Sequence, residues 1–238
     1  MVEVLYMPNI EANYIREWDA NITARGDDYV ELDRTAFYPE GGGQPSDTGW
    51  LEWSGGRSRV KMVTKKGSVK HFIDGQVPDG MVHAVLDWER RYGHMRMHTA
   101  QHIVSGVVFD MFGARTVGNQ LYADRSRIDF SPVKFTDEQV AQVEKEANSL
   151  ISRNLDITIS QEARSELEKR VNEERCNLDL LPKSIHNLRV IEVAGFDVCP
   201  CAGTHVRNTS ELGQVRVLDY ESKGKDRCRL TYELVKTP

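Results

Sequence analysis

Short apolar alternations, interrupted every few residues by Gly, Asp or Asn, fill the first third of the chain. Val2-Glu-Val-Leu-Tyr-Met7 predicts a first strand, and residues 28–33, the run around Val60 to Val63, and Val69 to Ile73 continue the pattern. Short strands with frequent turns predict a small β-barrel or sandwich ending near residue 86. The period then changes. Asp87 stands where an N-cap belongs, just before Trp88, although Gly93 weakens the first turns. Ile103, Val107 and Met111, with Val104 and Val108 beside them, form a buried stripe at helical spacing, and Phe112-Gly113 predicts the stop.

Asn119 to Tyr122 and Arg127 to Ser131 read as strands flanking a turn. Thr136-Asp-Glu-Gln139 has the spacing of a capping box and opens a helix with Val140, Val143, Ala147 and Leu150 on one face. A short strand over Leu155 to Ile159 and a charged helix from about Gln161 to Glu174 follow. Strands near Leu188–Val193, Val215–Tyr220 and Arg227–Leu234 close the pattern. In the last, Cys228, Leu230, Tyr232 and Leu234 face inward while Arg227, Arg229 and Thr231 face outward. The expected fold class is α+β. A β-barrel domain over 1–87 precedes an α/β domain over 88–238, with a tight junction and no internal repeat.

Composition narrows the function classes. The 238 residues suffice for two small domains with ample core. A formal net charge of −5 argues against indiscriminate nucleic-acid binding but leaves room for a local basic patch. Four cysteines in a chain this long make no disulfide framework; they fit a reducing compartment and metal chemistry. No apolar run suits a bilayer and no signal-peptide pattern opens the chain, so a cytoplasmic protein is expected, without membrane contact.

The chemistry concentrates in two short segments. In His98-Thr-Ala-Gln-His102 the imidazoles stand one helical turn apart on one face. Cys201-Ala-Gly-Thr-His205 follows Cys199-Pro200 and reads as a loop. An isolated pair of this kind is often a solvated stripe, but together three imidazoles and one thiolate make a tetrahedral N/S set that suits Zn²⁺. His94, a turn before His98, is either a third helix ligand or a residue at the pocket mouth or in solvent. Glu40-Gly-Gly-Gly-Gln44 permits positive φ and close backbone approach. Taken alone it is as readily a hairpin turn, and no P-loop Lys-Ser/Thr follows it, so no nucleotide cofactor is expected.

These residues carry a resemblance. The two metal segments resemble the paired zinc signature of the alanyl-tRNA editing family, which comprises the editing domain of alanyl-tRNA synthetase and the free-standing AlaX proteins; threonyl-tRNA synthetases carry a related domain. Thr35-Ala-Phe-Tyr-Pro-Glu-Gly-Gly-Gly-Gln-Pro-Ser-Asp-Thr-Gly49 resembles the Gly-rich signature of the alanyl branch. The likeness runs from about Thr35 to Glu233. It departs from the common form at Ala202, where a second Gly is usual, and at Cys199, an extra thiol able to compete with Cys201. The resemblance implies a small β-barrel before an editing domain of the synthetase second-additional-domain type. It also implies Zn²⁺ on His98, His102, Cys201 and His205. It places Gly41, Gly42, Gly43 and Gln44 beside the pocket, Thr35 as the hydroxyl that meets a seryl side chain, and Gln120 as a pocket glutamine. Gln101, between the metal histidines, is a further polar candidate, with a solvent-facing role equally open on spacing alone.

The implied activity is hydrolysis of the ester joining serine, or glycine, to tRNA(Ala), by an editor acting in trans. A synthetic site for alanine discriminates poorly against such neighbours, so a second, hydrolytic site has a physical motive. Arg90, Arg91, Arg96, Lys65, Lys66, Lys223, Lys225 and Arg227 are the candidate phosphate contacts. Four protein ligands describe a closed zinc, whereas catalytic zinc keeps a position open, and the sequence leaves that choice open. The competing readings are a threonyl-type editor, against which the Gly-rich segment speaks, and a non-catalytic, zinc-stabilised tRNA-binding module.

Overall fold

The structure is a computed structural model describing residues 2–236 apart from 177, 179 and 180. Its strands are β1 (Glu3–Val4), β2 (Glu17–Arg25), β3 (Tyr29–Leu32), β4 (Arg34–Thr35), β5 (Gly49–Trp53), β6 (Gly56–Lys66), β7 (Ser68–Ile73) and β8 (Met81–Leu86). Helix α1 (Trp88–Phe112) leads to β9 (Arg115–Leu121), β10 (Ser126–Ser131) and α2 (Asp137–Ser152). Then come β11 (Ile157–Ala163), the single turn α3 (Arg164–Leu167), β12 (Asn187–Val193), β13 (Asp197–Pro200), β14 (Gln214–Ser222) and β15 (Cys228–Val235).

The fold class is α+β, as expected. Antiparallel strands close a six-stranded barrel in the order β2-β3-β7-β6-β5-β8, with β8 returning to β2. Its inward residues alternate along each strand: Val69, His71 and Ile73 on β7, and Val82, Ala84 and Leu86 on β8, pack with Leu32, Leu51 and Val60. The second core lies beneath α1. Every residue of α1 from Met97 to Val108 is buried. One side of that helix meets Val143, Ala147 and Ile151 of α2 and the Ile128, Leu230 and Tyr232 face of the sheet β14-β15-β10-β9. The other side carries the histidines.

Several local expectations changed. The first strand is only two residues, because the chain turns at once and the Met7 amide bonds back to Val4 O. Asp87 does not cap α1; its carboxylate accepts from Arg59 and Thr48 of the barrel instead. The charged helix over 161–174 shrinks to α3, since Gln161–Ala163 continue β11 opposite Asn187–Arg189. That stretch offers little apolar face, with Leu167 buried and Val171 half-buried beside it, and tertiary pairing overrides its propensity. The Thr136–Gln139 capping box, by contrast, closes at both of its hydrogen bonds.

Candidate metal centre

Helix α1 fixes the first pair of donors. His98 and His102 project from one face with ring centroids 5.7 Å apart. The second pair arrives on the loop after β13, which Gly203 allows to press against the helix: a Cβ there would stand 2.0 Å from His98 Cε1. The ligand atoms of His98, His102, Cys201 and His205 all lie within 4.8 Å of one another, a cluster able to hold a metal ion. Cys201 Sγ is 3.5 Å from His98 Nε2 and 3.4 Å from His205 Nε2. Donors at about 2.0–2.3 Å on a tetrahedral zinc stand roughly 3.5 Å apart, so the set fits that ion.

Each imidazole is oriented from behind. His98 Nδ1 lies 2.8 Å from Gln44 Oε1, which also accepts from the Thr204 amide. His102 Nδ1 lies 2.9 Å from Asp197 Oδ2, and Asp197 is braced in turn by Arg175. Both oxygens can only accept, so Nδ1 carries a hydrogen and Nε2 is the nitrogen left for the cluster, free to bind a cation once any proton on it is released. His205 Nδ1 sits 3.1 Å from Thr99 Oγ1, while its backbone amide donates to Asn13 Oδ1 at 2.7 Å.

Electrostatics agree with a ligand role. Burial would push the Cys201 thiol up, but the surrounding His98, His205 and His102 bring it well below the ordinary thiol range. Burial opposes charge on His102 as well, yet Asp197 and the Cys201 thiolate raise it to about 10. That held proton is the one a bound cation displaces. Burial takes His205 down to about 3. His94 is not at a solvent-facing mouth: it is 1% exposed, its Nδ1 has no partner, and burial with Arg90 and Arg91 nearby lowers it to about 3. It stands outside the four-residue cluster.

A cavity of about 600 Å³ opens onto His98, His102 and Cys201, with Tyr6, Tyr38, Gly41, Gly42 and Gln101 among its walls. His205, fully buried, closes the cluster from behind. Gln101 donates from Nε2 to Ser105 Oγ and lines the cavity. Gly42 and Gly43 both have positive φ (57° and 83°) at the centre of a Gly41–Gln44 bridge, the backbone of a tight hairpin turn. Tyr38 donates its hydroxyl to Gly41 O and holds that turn over the cavity.

Other expected site residues fall elsewhere. Thr35 is fully buried; its hydroxyl pairs with His71 at 2.9 Å and accepts from the Phe37 amide, so it faces the barrel interior. Gln44 is equally buried and touches His98 rather than the cavity. Gln120 lies on β9, bonded to Tyr122 and Arg127, at a neighbouring cavity. Arg96 spends its guanidinium on the carbonyls of Glu211 and Leu212. Arg91 has no exposure and pairs with Asp47, which removes it from the candidate phosphate contacts. Lys223 and Lys225 lie exposed on the β14–β15 hairpin, away from the cavity lining; Lys65 reaches its rim. Cys199 lines the cavity without joining the cluster. Asp197, Arg175, Thr99, Thr204 and Asn13 carry no sequence signal, because each reaches the site from a distant stretch or from an unremarkable motif position.

Comparison with known proteins meets this geometry at both ends. Residues 188–231 match the threonyl and alanyl tRNA synthetase second additional domain, and residues 9–90 match the class II (A) tRNA synthetases. An alanyl-tRNA editing protein, AlaX-M, of Methanosarcina barkeri is 39% identical over 99% of this chain and 100% of its own length. The chain belongs to the alanyl-tRNA editing protein family. An AlaX-M of Saccharolobus solfataricus is 35% identical over 98% of each chain, and the alanine–tRNA ligase of Thermococcus kodakarensis is 36% identical over 89% of this chain but 24% of the ligase. In this member of the alanyl-tRNA editing family, the matched segments supply the Gly41–Gln44 turn and the Cys201–His205 loop. The paired histidines of α1 lie between them.

Proposed function

We propose that the protein removes serine, and glycine, from wrongly charged tRNA(Ala), acting in trans as a zinc-dependent hydrolase. The observation that carries this reading is the His98, His102, Cys201 and His205 cluster, open to a cavity walled by the Gly41–Gln44 turn, in a chain that aligns end to end with alanyl-tRNA editing proteins. Water adds to the ester carbonyl, the bond to the ribose oxygen breaks, and a free amino acid and a free 3′ hydroxyl result. Those four residues would hold Zn²⁺, which when bound would supply Lewis acidity and a template for the polar end of the substrate.

The chain's own residues do the rest. Asp197 and Gln44 hold the ligand rings still, so no reorganisation accompanies binding. Gln101 Oε1 accepts a hydrogen bond from the seryl hydroxyl or the substrate ammonium. Tyr38 fixes the glycine turn, whose lack of side chains at Gly41 and Gly42 lets a ribose approach the backbone. The closed four-donor set also favours a second reading, a non-catalytic tRNA-binding module stabilised by zinc.

Deacylation of Ser-tRNA(Ala), Gly-tRNA(Ala), Ala-tRNA(Ala) and Ser-tRNA(Thr), with wild type and His102→Ala and with zinc content measured, separates these readings. Loss of serine and glycine from tRNA(Ala) alone, abolished together with the metal, is the expected result. Full zinc occupancy without hydrolysis of any substrate leaves the binding module.

A further inference from the structure

A second cavity, of about 590 Å³, lies on the other side of the Gly41–Gln44 turn. Glu40, Gly41 and Asn119 line both cavities, so the two meet across that turn. The second is unlike the first. Its walls carry the cations Arg90, Arg127 and Lys61, together with the 46%-exposed ring of Tyr122 and the amides of Asn119 and Gln120. Lys61 is paired with Asp74. Arg90 donates through Nε to Ser46 O, and Arg127 through one terminal nitrogen to Gln120 Oε1; among the described residues neither joins an ion pair. Two guanidinium groups without an ion pair thus stand beside an open aromatic ring, on a wall that also carries the Glu40 carboxylate.

The mixture matches one class of ligand. A single-stranded polynucleotide presents a phosphate charge and a flat base at every step, and proteins hold it with guanidinium groups and stacking side chains. The ester under attack terminates such a strand, so whatever occupies the metal cavity continues outward as further nucleotides. We propose that this second cavity seats the single-stranded 3′ end of the RNA just before the esterified nucleotide, with Arg90 and Arg127 on phosphates and a base stacked on Tyr122. The proposal rests on the tRNA reading above. The turn itself is pinned between the two sites: Gly43 O accepts from the Leu121 amide, and a Cβ on Gly43 would stand 1.9 Å from Asn119 Oδ1.

The test compares seryl-tRNA(Ala) with 3′-O-seryl-adenosine, which lacks the preceding nucleotides, using Tyr122→Leu, Arg127→Gln and the doubly substituted Arg90→Gln/Arg127→Gln protein. Zinc content and melting temperature check that each variant is intact, and Arg127→Lys tests rescue by charge. The expected result is a KM for the tRNA raised about tenfold with kcat held, and no change for seryl-adenosine. An unchanged KM for the tRNA overturns the proposal, and so does an equal loss on both substrates. If wild type hydrolyses neither ester, the functional reading fails separately. The cavity is then judged by anisotropy of a labelled short RNA ending in a 3′ adenosine. Weaker binding by the double variant, with its salt dependence reduced by about 0.7 per lost contact, supports the proposal; no binding by wild type, or unchanged binding by the variant, overturns it.

Discussion

Asp197 shows how much one unremarked side chain decides. It accepts from His102 Nδ1 and is clamped by Arg175, so it sets both the tautomer and the angle of a candidate metal ligand. Asp197→Asn keeps the volume and weakens the acceptor. Metal affinity is expected to fall by about 10- to 100-fold, read by competition with a chromophoric chelator; unchanged affinity would show that the carboxylate is idle. His71 gives a prediction of another kind. It is enclosed by the barrel, with Nδ1 donating to Val30 O, and burial lowers its pKa from 6.5 to about 4. The folded state therefore refuses a proton that the unfolded chain accepts below about pH 6.5. Stability contributed by His71 is complete above that pH and drains as pH falls toward 4, by on the order of 3 kcal/mol. Urea unfolding between pH 4 and 7 should show a shallower slope in His71→Gln than in wild type, and identical slopes would refute the assignment.

At the scale of elements, the legible parts were those with local causes. The Thr136 capping box forms because its two hydrogen bonds lie within one turn. Thr136→Ala should cost about 1 kcal/mol in denaturant midpoint experiments, without touching metal content. The end of α1 was legible for the same reason, since Gly113 adopts the left-handed geometry its place demands. The missing charged helix and the truncated first strand are failures of the opposite sort. Gln161 to Ala163 follow their partners on β12, and Met7 follows the turn beside the cavity, so a remote neighbour outweighs local preference.

Across the whole molecule, one buried ion pair ties the barrel to the helix that carries His98 and His102. Arg91, on α1, donates to Asp47 after the glycine turn and to the carbonyl oxygens of Asn13 and Ala36, with neither charged partner exposed. Breaking such a pair leaves a charge stranded in the interior. Asp47→Ala is expected to cost about 3–5 kcal/mol, a large share of ordinary domain stability, visible as a lowered urea midpoint. A midpoint within error of wild type would mean that water or another acceptor replaces the carboxylate.

The sequence by itself determined the four candidate metal donors, the β-then-α order and the glycine turn, because each depends on residue type at short spacing: imidazoles one turn apart, apolar period, glycines that permit positive φ. Tertiary structure alone decided what stands behind the donors. Gln44 and Asp197 orient His98 and His102 from 54 and 95 positions away, and Asn13 reaches His205 across 192. It also decided which cations are spent, burying Arg91, turning Arg96 onto carbonyls and leaving Arg90 and Arg127 beside a cavity. Periodicity records which face of an element is apolar, but which distant residue meets that face is set only when the barrel closes and the helix packs against it.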